Sequence, residues 1–420
     1  MIRILKKLAP TIMGLSLAAV LMVTGCTSTP TTVTATATKT TSSTATVTAM
    51  ATATATATQT ATATAIATAT STSTVTATAT VTAPPVTQAV SLNGAGGTFP
   101  QPLYNQWFAE YATLTGVKIN YQGVGSGAGI TAITNGTVDF GASDGLMTQA
   151  QIDAAQANYG AILTIPMTAG AEAIIYNLTG ITSGQLKLTP AVLAAIYLGT
   201  ITKWNDPAMV ALNPTLALPN AAIATVHRSD SSGTTNIFTN YLDKVSPAWH
   251  TQVGTANSVN WPNGIGGSGN AGVAGSVQQT PNSIGYVELA YAVSNNLPFA
   301  QLQNAAGNYV SPSVASATAA ANGITLPDDT RVMITNSSDP AAYPIVGFTW
   351  ILVYANQTDP AKGQALVNML WWAIHAGQAD CAGLNYAQLS SAAVTKAEKL
   401  INSIKYQGQV INPQAIYPKS

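Results

Sequence analysis

Three short stretches of glycine, serine and threonine do most to restrict how this chain can fold. They are Gly94-Ala95-Gly96-Gly97-Thr98-Phe99-Pro100, Gly125-Ser126-Gly127-Ala128-Gly129 and Arg228-Ser229-Asp230-Ser231-Ser232-Gly233-Thr234. Each lies between a strand-like run and a helix-like run. Leu103, Trp107, Phe108 and Tyr111 recur at helical spacing after the first turn. Val117, Ile119 and Tyr121 alternate with polar residues before the second, and Ile223–Val226 is a short apolar strand before the third. Ile237, Phe238, Tyr241 and Leu242 then share one helical face. Thr189-Pro190 and Asp359-Pro360 each pair a capping residue with a proline at the first helical position. The second of these leads into a stripe of Leu366, Met369, Leu370 and Ala373. Repeated strand–helix units predict an α/β fold, a parallel-rich sheet with helices on both faces. Ligands of such sheets bind beyond the carboxyl ends of strands, at helix N-termini. Two such lobes face to face would enclose a ligand in a cleft.

The start of the chain reads as a targeting segment. Arg3, Lys6 and Lys7 precede an apolar stretch from Leu8 to Val23, then Val23-Thr24-Gly25-Cys26. The stretch is short for a membrane span and ends in a small-residue cleavage pattern. Residues 1–25 are therefore expected to be a lipoprotein signal, with Cys26 lipidated after cleavage. The alternative is an uncleaved anchor with an incidental cysteine. Both put the rest of the chain outside the cytoplasmic membrane. Residues 26–87 are almost all Thr, Ala, Ser and Val, with Lys39 the one charge. Apart from Met50 and Ile66, no bulky apolar residue or turn chemistry interrupts the Thr-Ala alternation, so a disordered tether is expected.

Residues 88–420 are enough for two lobes. Four of the chain's 15 basic residues precede this region and none of its 15 acidic ones does, so the region is mildly acidic. It has no basic run, which argues against nucleic acid. With Cys26 modified, Cys381 has no partner for a disulfide and is expected to be buried. His227, His250 and His375 are far apart and lack metal-ligand spacing.

The turns carry the chemistry. A helix N-terminus presents unpaired N–H groups and partial positive charge, so three of them meeting would cradle a small anion. Thr98, Ser126, Ser232 and Thr234 supply hydroxyls, while Phe99, Gly233 and Thr234 supply N–H groups. Arg228 adds a guanidinium whose fork matches two oxygens, and Asp230 is placed to hold it. Asp144 ends the run Val138-Asp139-Phe140-Gly141-Ala142-Ser143 and looks wrong by charge. It makes sense if the ligand carries a proton, as phosphate does at neutral pH and sulfate does not. A lone Gly-Ser-Gly turn is usually only a turn; the specificity lies in the combination.

At these residues the chain resembles the phosphate-binding proteins of phosphate-specific ABC importers. The stretches that carry the resemblance are GAGGTFPQPLYNQWFAEY, INYQGVGSGAGI, TVDFGASD, HRSDSSGTTNIFTNYL, WPNGIGGSGNAGV, TPNSIGYVELAYA and AYPIVGFTWILVY. The similarity runs from about Ser91 to Tyr406. It implies a two-lobe receptor whose lobes, 88–175 with 345–420 and 176–344, close around one phosphate. The implied contacts are Gly97, Thr98, Phe99, Ser126, Asp144, Arg228, Ser232, Gly233 and Thr234, with Asp230 pairing the arginine. The implied partners are inorganic phosphate, the permease and ATPase subunits of the importer, and the membrane through the N-terminal lipid. A monomer is expected, with no cofactor, metal or catalytic residue. One departure stands out. The family usually reads Asp-Gly-Ser-Gly-Thr where this chain has Asp230-Ser231-Ser232-Gly233-Thr234. If that glycine has a positive φ, Ser231 is strained; otherwise it adds a hydroxyl near the site.

Three other readings stay open. A secreted phosphatase would need a nucleophile with a base or a metal cluster, and neither Ser126 nor Ser232 has a visible histidine partner. A binder of another oxyanion, such as sulfate or molybdate, conflicts with Asp144. A signalling or adhesive role with incidental phosphate binding conflicts with nothing in the sequence.

Overall fold

The caps written in the sequence begin the helices. Thr189 Oγ1 accepts from Val192 N at the start of Pro190–Tyr197. Asp359 accepts from Ala361 N and Lys362 N at the start of Pro360–Ile374. The computed structural model describes residues 33–53, 61–81 and 90–414, so the leader with Cys26 lies outside the described residues. Among those described, no helix is long and apolar enough to cross a membrane.

Residues up to Gln88 form a separate unit. In it, Val33–Ala53 pairs antiparallel with Ala61–Val81, Val33 opposite Val81 and Ala53 opposite Ala61. Both strands lie within residues 26–87, the segment read from sequence as a tether. Much of both strands alternates Thr with Ala, which matches the two-residue period of a strand, and β-branched threonine favours extended backbone.

The second unit, from Ala89, is built on one sheet of eight strands. Strands Lys118–Gly123, Ser91–Gly96 and Phe140–Ser143 run parallel at one end. Strands Ser283–Glu288, Ala224–Arg228 and Ile265–Gly267 run parallel at the other. Between them lie Val346–Tyr354 and the long strand Ile162–Tyr176. Residues 162–171 of the long strand pair with Val346–Tyr354, and residues 172–176 pair with Ser283–Glu288. One strand thus belongs to both halves of a two-lobe α/β fold. Its burial on both sides explains its near-continuous apolar run.

Each half contributes its own group of stacked aromatics to one continuous core. In the first, Phe140 stacks on Tyr121 at 6.2 Å, and the helix Gln101–Thr115 lays Tyr104 and Phe108 edge-on or tilted against them. Trp107 Nε1 donates to Gly377 O at 2.6 Å, which fixes that helix from its far side. In the second, Phe238 stacks on Tyr286 at 4.2 Å beside Tyr197 and Trp261. The helical stripes read from sequence therefore face the core.

All three small-residue turns lead from a strand into a helix: Gln101–Thr115, Ser126–Thr134 and Gly233–Val245. The second helix lies directly on strand backbone. A Cβ at Gly129 would sit 2.5 Å from Gly96 Cα and 2.6 Å from Ala95 O. Neither backbone atom can move without displacing the turns. Gly129→Ala is expected to cost about 3 kcal/mol, the upper end for an overpacked site. A urea midpoint equal to that of the native protein would contradict this packing.

Candidate functional site

The three helix starts converge on the Asp144 carboxylate. Thr98, Phe99, Ser126, Asp144, Arg228, Ser232 and Thr234 are all buried, and so are Gly97 and Gly233. Asp144 follows the strand Phe140–Ser143, where the parallel sheet ends. Its Oδ1 accepts from Thr349 Oγ1 at 2.8 Å and its Oδ2 from Ser126 Oγ at 3.1 Å. The same Ser126 oxygen accepts from Asp144 N at 3.1 Å, so the serine is held from both sides. Two glycines let the turns close on the carboxylate. A Cβ at Gly97 would lie 2.7 Å from Asp144 Oδ1, and one at Gly233 would lie 2.7 Å from Oδ2.

Arg228 ends its strand and points into the same space. Its Nε donates to Asp230 Oδ1 at 2.7 Å, one terminal nitrogen to Asp230 Oδ2, and the other to Thr234 Oγ1 at 3.0 Å. A guanidinium has five N–H donors, so two remain free of these bonds. Asp230 also accepts from Gly269 N at 2.9 Å. Burial alone would raise the Asp230 carboxyl, but the Arg228 bonds and charge and the Gly269 N–H hold it below its usual range.

Ser232 caps the helix Gly233–Val245 by accepting from Thr235 N at 3.1 Å. That leaves the Gly233 and Thr234 N–H groups as first-turn donors with no partner inside the helix. The carbonyls of Thr98 and Phe99 are held by Tyr291 OH and Tyr386 OH, each at 2.6 Å. These bonds fix the peptide that carries the first turn.

The electrostatics are unusual for an anion site. Arg228 and Asp230 neutralise each other, which leaves Asp144 as the uncompensated charge. Burial pushes its carboxyl up to about 6, against the opposing pull of Thr349, Ser126 and Arg228. Above that value a carboxylate acceptor stands among several donors. Such a pocket suits a ligand that accepts at most of its atoms and donates at one.

The two halves meet across this pocket. Asn270 Nδ2 donates to Thr98 Oγ1 at 2.9 Å and to Thr234 Oγ1 at 3.1 Å, joining the first turn to the third. Its backbone N donates to Thr98 Oγ1 at 3.1 Å, and its Oδ1 accepts from Glu288 N at 2.9 Å. Gly127 N donates to Ser231 O at 2.9 Å. Ser231 does not have a positive φ, so it is not strained. Its hydroxyl packs against Gly127, where a Cβ would clash. A cavity of about 130 Å³, lined by Thr98, Gln101, Asp230, Gly269 and Tyr291, opens beside the pocket.

The expected contacts Gly97, Thr98, Phe99, Ser126, Asp144, Arg228, Ser232, Gly233 and Thr234, with Asp230, thus lie around one pocket. Cys381 is buried and free, and lies against Thr168. His250 and His375 pair with Asp243 and Glu398, away from the pocket, and His227 stacks on Trp261. Thr349 and Asn270 went unassigned from sequence. Asn270 follows Gly266-Gly267-Ser268-Gly269, a fourth small-residue turn that opens the helix Gly269–Gln279. That turn was the available signal; nothing local marks Thr349.

A family model described as "PBP superfamily domain" matches residues 82–368. A phosphate-binding protein PstS of Xylella fastidiosa (strain 9a5c) is 44% identical over 322 residues, 76% of this chain and 87% of that protein. One from Methanocaldococcus jannaschii is 36% identical over 310 residues, 69% of this chain and 79% of that protein. Among solved structures, a high affinity periplasmic phosphate-binding protein with bound phosphate aligns with a TM-score of 0.62 at 22% identity. That alignment covers 74% of this chain and 93% of the other. A phosphate binding protein from Stenotrophomonas maltophilia aligns at 0.59 and 18% identity, over 74% and 94% of the two chains. Fold, converging turns and relatives agree, and the chain belongs to the PBP superfamily and, within it, to the PstS family of phosphate-binding proteins.

Proposed function

We propose that the pocket captures one inorganic phosphate and that the protein delivers it to an ABC-type importer. The observation that carries this reading is Asp144, a buried acceptor among donors. Phosphate at neutral pH has oxygens for the donors and a proton for the carboxylate. Sulfate has no proton and would face Asp144 unpaired, so it is rejected by about 10⁴-fold or more. On this reading phosphate takes N–H bonds from Phe99, Gly233 and Thr234, hydroxyl bonds from Thr98, Ser232 and Thr234, the Ser126 hydroxyl once it turns from Asp144, and the free N–H groups of Arg228. Gly97 leaves the room, and Asp230 positions Arg228. The names of the relatives support the choice of ligand, and their family is one of binding proteins rather than enzymes.

The lobes of this reading are 88–175 with 345–420 and 176–344, so the contacts come from both. Closing the cleft on phosphate excludes water and strengthens each bond. Lipidation of Cys26 would anchor the protein on the outer face of the cytoplasmic membrane, with residues 26–87 as a spacer. The permease and ATPase subunits would then receive phosphate from a monomeric receptor.

Asp144→Asn tests the assignment. It is expected to weaken phosphate binding by about 100-fold and to narrow the rejection of sulfate by a similar factor. Calorimetric titration with both anions reads the two effects, and unchanged selectivity would overturn the role given to Asp144. The native protein should approach the same behaviour as pH falls. The Asp144 carboxyl titrates at about 6; once protonated, it can donate to sulfate. Sulfate affinity of the native protein should therefore rise as pH falls through that value, and that of Asp144→Asn should not. Equal pH dependence in the two proteins would contradict the account.

A further inference from the structure

A second acidic feature lies behind the pocket. Glu172 is on the long strand Ile162–Tyr176, directly opposite Glu288 on Ser283–Glu288. Directly opposed residues of an antiparallel pair have Cβ atoms about 5 Å apart. Both side chains are completely buried. Neither Glu172 carboxyl oxygen has a hydrogen-bond partner, and Glu288 Oε1 has none either. Glu288 Oε2 accepts from Ala290 N at 2.7 Å, capping the helix Leu289–Ser294. No ion pair involves either residue among those described.

Two opposed, buried carboxylates cannot both stay ionised without a cation or donors. One proton resolves the geometry. A Glu172 carboxylic acid donating to Glu288 Oε1 would satisfy an orphaned atom on each side. The groups that face the pair are Asp144, Arg228, Tyr286 and Tyr343 around Glu172, and Asp144, Tyr291 and Tyr386 around Glu288. Arg228 is the one cation among them, and Asp230 already engages it. Burial, foremost, pushes both glutamates well above the usual carboxylate range.

The pair is tied to the pocket. Asn270, which bridges Thr98 and Thr234, accepts the Glu288 backbone N–H. Asp144 and Arg228 act on Glu172 through their charges. We propose that Glu172 and Glu288 share a proton, and that the pair takes up a further proton when an anion enters the pocket, making affinity depend on it. This rests on the anion-binding reading above. The sign follows from linkage. A bound anion raises the proton affinity of nearby carboxylates, so binding strengthens as pH falls through the range where the pair titrates.

The test uses Glu172→Gln, which keeps shape and supplies a neutral donor to Glu288. Glu288→Gln, which keeps the capping carbonyl oxygen, serves as the second variant. Infrared spectra of the phosphate-free proteins at neutral pH should show a protonated carboxylic-acid band in the native protein that each variant lacks. The same band in all three proteins, or in none, would overturn the shared proton whatever the ligand. Calorimetry with phosphate in buffers of different ionisation enthalpy then counts protons between about pH 5 and 8. The native protein should take up more protons per phosphate than Glu172→Gln. Its Kd should also change by up to about tenfold more per pH unit. Equal proton uptake would sink the coupling while leaving phosphate capture intact. Absence of phosphate binding by the native protein would sink the phosphate reading and leave the infrared result standing.

Discussion

Burial of the Asp144 carboxylate is the constraint around which the rest of this molecule is arranged. A carboxylate taken out of water must be given donors or lose its charge. Here Ser126 and Thr349 supply hydroxyls, and the Gly97 and Gly233 turns close over it because they lack side chains. Arg228 stands near but is neutralised by Asp230. The pocket therefore holds many donors and one acceptor, with little net positive charge. Such a site recognises an anion by its hydrogen pattern more than by its charge. The low charge of the whole chain, 7% of residues, fits a protein that works through backbone dipoles and hydroxyls.

The fold serves this arrangement by running one strand through both halves. Ile162–Tyr176 pairs with one set of strands and then with the other. Polar bonds cross between the halves: Asn270 to Thr98, Tyr291 to the Thr98 carbonyl, and the Gly127 backbone N–H to the Ser231 carbonyl. Glu172 and Glu288 sit on the shared strand and its neighbour. Charge in the pocket and protonation beneath it are therefore physically linked.

Much of the site was legible in the sequence, because helix starts are local signals. The three turns, the Thr189 and Asp359 caps and the aromatic stripes each announce themselves within a few residues. Asp144 was legible through its oddity, an acid at the end of a strand among anion-binding turns. What escaped depends on distance along the chain. Thr349 reaches Asp144 across 205 positions, and Asn270 reaches Thr98 across 172. Glu172 and Glu288 are opposed only because an antiparallel register places them so. Ser231 was a true ambiguity: its φ decided between strain and contact, and the structure settles it as contact with Gly127.

A crystal structure of the protein with bound phosphate tests the central claim most directly. The account predicts one phosphate between the halves. One of its oxygens should lie within hydrogen-bonding distance of Asp144, and others should meet Arg228 and the N–H groups of Phe99 and Gly233. A phosphate bound outside this pocket, or one whose oxygens all avoid Asp144, would contradict it.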